Sequence, residues 1–174
     1  MSAPTTSTPN LARRLKRDAL FFAIAVLVFA LDQATKIMIR STLAPGESLP
    51  ADGWFRLTHV TNTGAAFGLF PNQSLILLVT TVIGMAAILT YYLYPPVQTP
   101  ILTVSLGLQL GGAVGNLVDR ISLGHVTDFL DFRIWPVFNL ADSAIVVGVC
   151  VLTGYMVLFD RTAKAPPPAT PPRR

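Results

Sequence analysis

Five aspartates, Asp32, Asp119, Asp128, Asp131 and Asp142, carry most of the chemistry this chain can offer. Two carboxylates held close together cannot both ionise easily, so they share a proton. One then acts as a base on water while the other, protonated, polarises a carbonyl. Such a pair cleaves a peptide bond without metal or cofactor. Asp142 is the strongest single candidate, because it lies near a helix start where it is partly desolvated. Asp32, Asp119 or Asp128 could be its partner, and spacing does not choose among them. Lys36 with Ser143 or Ser122 offers a Ser–Lys peptidase if burial activates the lysine. The same carboxylates could also serve a small transporter or proton relay. The sequence has no GxSxG, HExxH, CxxC or phosphate-binding glycine loop. With one cysteine, Cys150, and two histidines, His59 and His125, no disulfide, metal site or cofactor is expected.

The elements that must position these groups are apolar. Of 174 residues, 52% are hydrophobic and 13% charged, against about 25% charged in a soluble domain. Mean hydropathy is +0.56. These values count against a soluble enzyme, a disordered tail protein and a nucleic-acid binder. The net charge is +4, but eight of the thirteen Lys and Arg lie in the two terminal segments, where membrane topology explains them. A membrane helix needs roughly 20 apolar residues, and four stretches qualify: about residues 19–39, 74–93, 101–118 and 137–159. The first resembles a signal-peptide core, yet Asp32, Gln33 and Lys36 stand where a small-residue cleavage site is expected, so it reads as a retained helix. Basic residues before the first span and after the fourth put both termini in the cytoplasm. Segments 40–73 and 119–136 are then external. Residues 1–17 and the Pro-rich 161–174 read as cytoplasmic tails without a core, and the membrane domain as residues 18–160. There is no visible internal repeat, which weakens a transporter reading.

This topology sorts the polar residues by depth. Asp32 and Lys36 lie at the outer end of the first span, and Asn116 closes the third, with Asp119 and Arg120 just beyond. Asn139 and Asp142 fall in the first turns of the fourth, and Asp128 in the external segment before it. The inner halves of the spans hold no Asp, Glu, Lys, Arg or His. Charges inside a membrane cost about 2.5–3.5 kcal/mol each on insertion scales and mark function when they converge. Singly, Asp32 with Lys36 is an i, i+4 ion pair, and Asp119–Arg120 a helix end with a snorkelling arginine. A pathway across the membrane would need polar groups on the inner side, which are missing. Residues 54–63, WFRLTHVTNT, predict a surface strand or hairpin, and Asn62-Thr63-Gly64 a turn after it. Gly107, Gly111 and Gly115 predict close helix packing. Cys150 is expected in the core.

Five motifs then stand in order: Asp32-Gln-Ala-Thr-Lys36, Asn62-Thr-Gly-Ala-Ala-Phe-Gly68, Gly111-Gly-Ala-Val-Gly-Asn-Leu-Val-Asp-Arg120, Val126-Thr-Asp128-Phe129 and Phe138-Asn-Leu-Ala-Asp-Ser143. On four spans of this topology the chain resembles the lipoprotein (type II) signal peptidases. The resemblance covers roughly residues 18–160 and leaves out only the tails. It implies an all-α membrane protein of four helices with a small β-containing external region, in the bacterial inner membrane. The implied activity is aspartic: removal of the signal peptide from prolipoproteins just before a diacylglyceryl-modified cysteine. The implied dyad is Asp128 and Asp142. Asp32, Lys36, Asn62, Gly64, Asn116, Arg120, Asn139 and Ala141 match positions that support the site or contact substrate, and Asp119 matches as a structural residue. Implied partners are the lipidated prolipoprotein, membrane lipid and inhibitors of the globomycin type. No nucleic acid and no cofactor are implied, and a monomer is expected.

Overall fold

A computed structural model describes residues 8–64 and 73–163. The chain runs α1 (Thr8–Thr42), β1 (Ser48–Leu49), β2 (Arg56–Asn62), α2 (Gln73–Leu93), α3 (Pro100–Leu123), β3 (Val126–Asp131) and α4 (Leu140–Ala163). All four helices are long and apolar enough to cross a membrane. Val26, Leu27, Ile83 and Val146 stay exposed on their outer faces, as side chains facing hydrocarbon do.

The bundle is built around α3. Two thirds of its apolar window (67%) is buried, against 6% for α2 and 11% for α4. Its glycines allow this. A Cβ on Gly111 would stand 2.5 Å from the Ala25 carbonyl oxygen of α1, and one on Gly112 would strike the Ala141 carbonyl of α4. The backbones of both neighbours therefore rest directly on α3, as small residues at this spacing permit. Phe21, Ala25, Tyr92, Leu106 and Leu110 form the buried cluster joining α1, α2 and α3.

Both ends of α3 are defined by local chemistry. At its start the Thr99 hydroxyl accepts from the Leu102 N–H, and Pro100 follows where no donor is needed. At its end Gly124 adopts φ 76° and its N–H donates to the Arg120 carbonyl, a left-handed stop that favours glycine. The chain then turns straight into β3. The sheet is antiparallel in the order β1-β2-β3, with Asn62 opposite Val126, Val60 opposite Asp128 and a bulge between Leu57 and Val60. Ile39, Leu43 and Phe129 seat it on the end of α1.

Several boundaries differ from the sequence reading. α1 starts at Thr8, so Arg13, Arg14, Lys16 and Arg17 lie on helix and not on an extended tail. α3 continues to Leu123, which puts Asp119 and Arg120 inside it. Asn139 precedes α4 and does not lie in its first turn. The surface strand expected at residues 54–63 is β2, and β3 is an additional strand in the segment between α3 and α4. Cys150 is exposed, because its face of α4 looks away from α3. Residues 65–68 and the tail from residue 164 lie outside the described residues.

Replacing Gly112 by valine is expected to push α4 off α3 and destabilise the protein by about 2 kcal/mol or more, since overpacking of this kind costs 1–3 kcal/mol. Thermal unfolding of the detergent-solubilised variant measures this.

Candidate active site

The site begins with Lys36. Its ammonium is fully buried and has three hydrogens to place. They go to Asp32 Oδ2 at 2.9 Å, Asp119 Oδ2 at 3.2 Å and Asn116 Oδ1 at 2.9 Å. Asp32 and Lys36 come together because they are one turn apart on α1; Asp119 and Asn116 come from the facing side of α3. Asp32 has a second duty: its Oδ1 accepts the Ala141 N–H at 3.0 Å, which ties the first turn of α4 to α1. A Cβ on Gly115 would collide with the Asp32 carboxylate, so glycine there makes room for the charge.

The amide of Asn116 transmits this arrangement. With Oδ1 turned to the lysine, its Nδ2 faces Asp142 Oδ1 and donates at 2.7 Å. Asn139 completes the link. Its Nδ2 donates to Asp128 Oδ1 at 2.6 Å and to Asn116 Oδ1 at 3.1 Å. Its Oδ1 accepts the Asp142 N–H at 2.9 Å, and its own N–H donates to Asp142 Oδ2 at 3.3 Å. Asn139 is thus the N-cap of α4 in a reciprocal capping box with Asp142. One residue caps the helix and bridges the two carboxylates. The other oxygen of Asp128 accepts from Asn62 Nδ2 at 2.8 Å, across the β2–β3 pairing. Gly64, at φ 74°, donates its N–H to Asn62 Oδ1 and so fixes which end of that amide faces Asp128.

Asp128 is buried, Asp142 half-buried and Asn62 exposed. Burial pushes the Asp128 carboxyl up to about 6; the Asn62 hydrogen bond opposes this and the charge of Asp142 reinforces it. Asp131, three residues on, behaves oppositely. Arg56 Nε donates to it at 3.0 Å, and that contact lowers it to about 2. It ties β2 to β3 and stands apart from the network. The five aspartates therefore divide into Asp32 and Asp119 on the lysine, Asp131 on an arginine, and Asp128 with Asp142 joined through Asn139.

Asn116, Arg120 and Asp142 line one end of a cavity of about 520 Å³ between α2, α3 and α4, whose remaining walls are largely apolar. Arg120 reaches back to the Asn116 carbonyl at 3.4 Å. The Ser–Lys alternative does not assemble: Ser122 donates to Val118 on its own helix, Ser143 donates to the Asn139 carbonyl, and Lys36 spends its three hydrogens elsewhere. Three participants escaped the sequence reading. Gln33 bonds Asp32, Asp119 and the Gly115 carbonyl. Arg40 donates to Thr127 at 2.9 Å and lies 3.8 Å from Asp119, whose Oδ2 also accepts the Thr127 N–H. Gln33 and Arg40 continue the polar face of Asp32 and Lys36, a signal available in the spacing; Thr127 carried none.

The profile of the Signal peptidase (SPase) II family matches residues 24–158. The chain is 52% identical over 139 residues to a lipoprotein signal peptidase of Moorella thermoacetica, covering 79% of this chain and 93% of that protein. It is 50% identical over 134 residues to one from Pelotomaculum thermopropionicum, covering 76% and 88%. Two solved structures of a bacterial membrane enzyme are similar in fold. One has a TM-score of 0.74 at 30% identity, covering 80% of this chain and 93% of that one; the other has 0.72 at 29%, covering 87% and 94%.

Removing the lysine leaves two buried carboxylates facing each other, and breaking a buried pair this way costs about 3–5 kcal/mol. Lys36→Met is expected to lower thermal stability by that order, and Lys36→Met with Asp32→Asn to recover part of it, measured by unfolding in detergent.

Proposed function

The chain belongs to the signal peptidase II family, and from that premise we propose that it is a membrane-embedded aspartic endopeptidase with Asp128 and Asp142 as its catalytic pair. Its substrate is a diacylglyceryl-modified prolipoprotein, cut just before the lipidated cysteine. The observation that carries this reading is the pair itself: two carboxylates bridged by Asn139, one of them raised to about 6 by burial and by the other's charge.

The chemistry needs one proton on the pair. Asp128 holds it, and Asp142 takes a proton from a water molecule as that water attacks the scissile carbonyl. Asp128 gives its proton to the carbonyl oxygen, so the tetrahedral intermediate is a neutral diol. As the C–N bond breaks, the amine leaves with the proton Asp142 took up, and a proton from the diol restores Asp128. Electrostatic preorganisation of this kind supplies most of such a rate enhancement, and the asparagine bridges provide it without moving parts. Arg120, at the mouth of the cavity, is placed to hold substrate main chain.

The membrane setting fits the substrate. A lipidated precursor is anchored in the outer leaflet, and withdrawing its chains would cost about 0.8 kcal/mol per methylene. A site at the helix ends receives the modified cysteine where it lies, and the apolar cavity flanks the signal helix. By the positive-inside rule both termini face the cytoplasm, which puts the pair at the outer face of the bacterial inner membrane.

Asp128→Asn and Asp142→Asn are each expected to abolish cleavage of a diacylglyceryl-modified precursor while leaving the protein folded, and wild type to leave the unmodified precursor intact. Gel-shift assay of the purified proteins measures all three; cleavage by either Asn variant would remove the pair from the mechanism. The pH dependence of kcat/KM follows from the shared proton. Asp128 is protonated below about 6 and loses its proton above it, so the active singly protonated form declines as pH rises through that value. The profile is therefore expected to be a bell whose two limbs belong to the pair. A flat profile from acid to alkaline pH would contradict a shared proton.

A further inference from the structure

The end of the bundle away from the aspartates holds a second recess. A cavity of about 410 Å³ lies between the N-terminal part of α1 and the start of α3. Arg13, Lys16, Arg17 and Leu20 line it from α1, and Gln98 and Thr99 from the turn before α3. Positions 13, 16, 17 and 20 share one face of a helix, so α1 turns three cations toward a single hollow. The positive-inside rule explains why basic residues gather at this end. It does not explain their convergence, and Arg14, between them in sequence, does not line the recess. Arg17 is held in place: its Nε and Nη2 donate to Asp18 at 3.0 and 2.9 Å, and its guanidinium lies 4.7 Å from the centre of the Tyr92 ring. That pairing answers its charge. Arg13 and Lys16 form no salt bridge among the described residues, and α3 has no acidic residue in its first turn. Two cations in the recess are therefore left without an anion.

The remaining walls define the kind of anion. The Thr99 hydroxyl accepts the Leu102 N–H at 3.4 Å and keeps its own hydrogen to donate. The exposed Gln98 amide beside it adds neutral donors. Leu20 supplies an apolar wall, because the uncharged run of α1 has just begun at Ala19. The recess thus passes from cationic to apolar where the span begins, as a phospholipid passes from phosphate to acyl chain. A free phosphate ion would use the cations and have no use for the leucine. Basic pockets between membrane helices on the cytoplasmic side take anionic headgroups in this way. We propose that the recess binds the phosphate headgroup of an anionic phospholipid of the inner leaflet, with Arg13 and Lys16 supplying the charge, Gln98 and Thr99 the neutral hydrogen bonds, and Leu20 the start of the acyl-chain wall. The bound lipid joins α1 to the turn between α2 and α3. This site is independent of the peptidase reading, since the aspartate pair lies at the other end of α3.

The test is thermal unfolding of the full chain in neutral detergent, titrated with phosphatidylglycerol, with zwitterionic phosphatidylethanolamine or with inorganic phosphate. Phosphatidylglycerol is expected to raise the unfolding temperature to a plateau, and the other two to leave it near its starting value. Arg13→Gln and Lys16→Gln are each expected to raise the half-saturating mole fraction of phosphatidylglycerol about fivefold, the worth of one cation beside an anionic headgroup. Arg14→Gln removes the same charge outside the recess and is expected to shift it by less than about twofold, because solvent and salt screen an exposed charge. Lipid-free unfolding temperatures of the Arg13 and Lys16 variants are expected to match wild type, since neither side chain pairs with another residue. Equal weakening by all three variants would reveal diffuse surface attraction and overturn the site. Stabilisation by phosphate alone would assign the recess to a soluble anion, and equal stabilisation by phosphatidylethanolamine would remove headgroup charge from recognition; each overturns the proposal, as does the lack of any shift with phosphatidylglycerol. The readout is unfolding and not cleavage, so failure of the peptidase reading would leave the result standing.

Discussion

The structure depends on the neutralisation of one buried lysine. Lys36 cannot stand in an apolar bundle without Asp32 and Asp119, and Arg40 leaves those two carboxylates facing two cations. The four charges sum to zero, so this cluster offers Asp128 and Asp142 no net positive charge. Those two carboxylates are linked through the neutral amide of Asn139, a setting that suits the shared proton of the proposed mechanism. The lysine thus acts on the chemistry by being fully occupied, and through the one hydrogen that it spends on Asn116. That bond decides which end of the Asn116 amide faces Asp142.

The fold brings these groups together through three short devices, each between long apolar elements. Gly124 stops α3 and sends the chain into β3, so Asp128 arrives from a strand and not from a helix. The Phe138 carbonyl accepts from the Phe129 and Leu130 N–H groups, which pins the residue before Asn139 against β3. Asn139 then starts α4 while reaching across to Asp128. Because the cap of α4 is also the bridge between the carboxylates, moving α4 against β3 would break both together. A fully satisfied polar network is rigid for this reason.

The spans and their polar ends were legible because a membrane imposes length and depth on sequence. Four long apolar runs read as spans once the polar residues after the first set it apart from a signal peptide, and Asp32 with Lys36 shows its i, i+4 pairing directly. The sequence reads Asp119 as just outside α3, because the apolar run ends at Val118 although the helix goes on to Leu123. β3 was not legible. Val126–Asp131 is buried on both faces, so it lacks the alternation that marks a half-buried strand, and it holds two aspartates, which strands disfavour. Spacing therefore could not choose the partner of Asp142. What brings Asp128 beside Asp142 is the pairing of β2 with β3, across which the Asn62 side chain donates to Asp128 from 66 residues away in sequence. The resemblance of motifs supplied what the periodicity lacked.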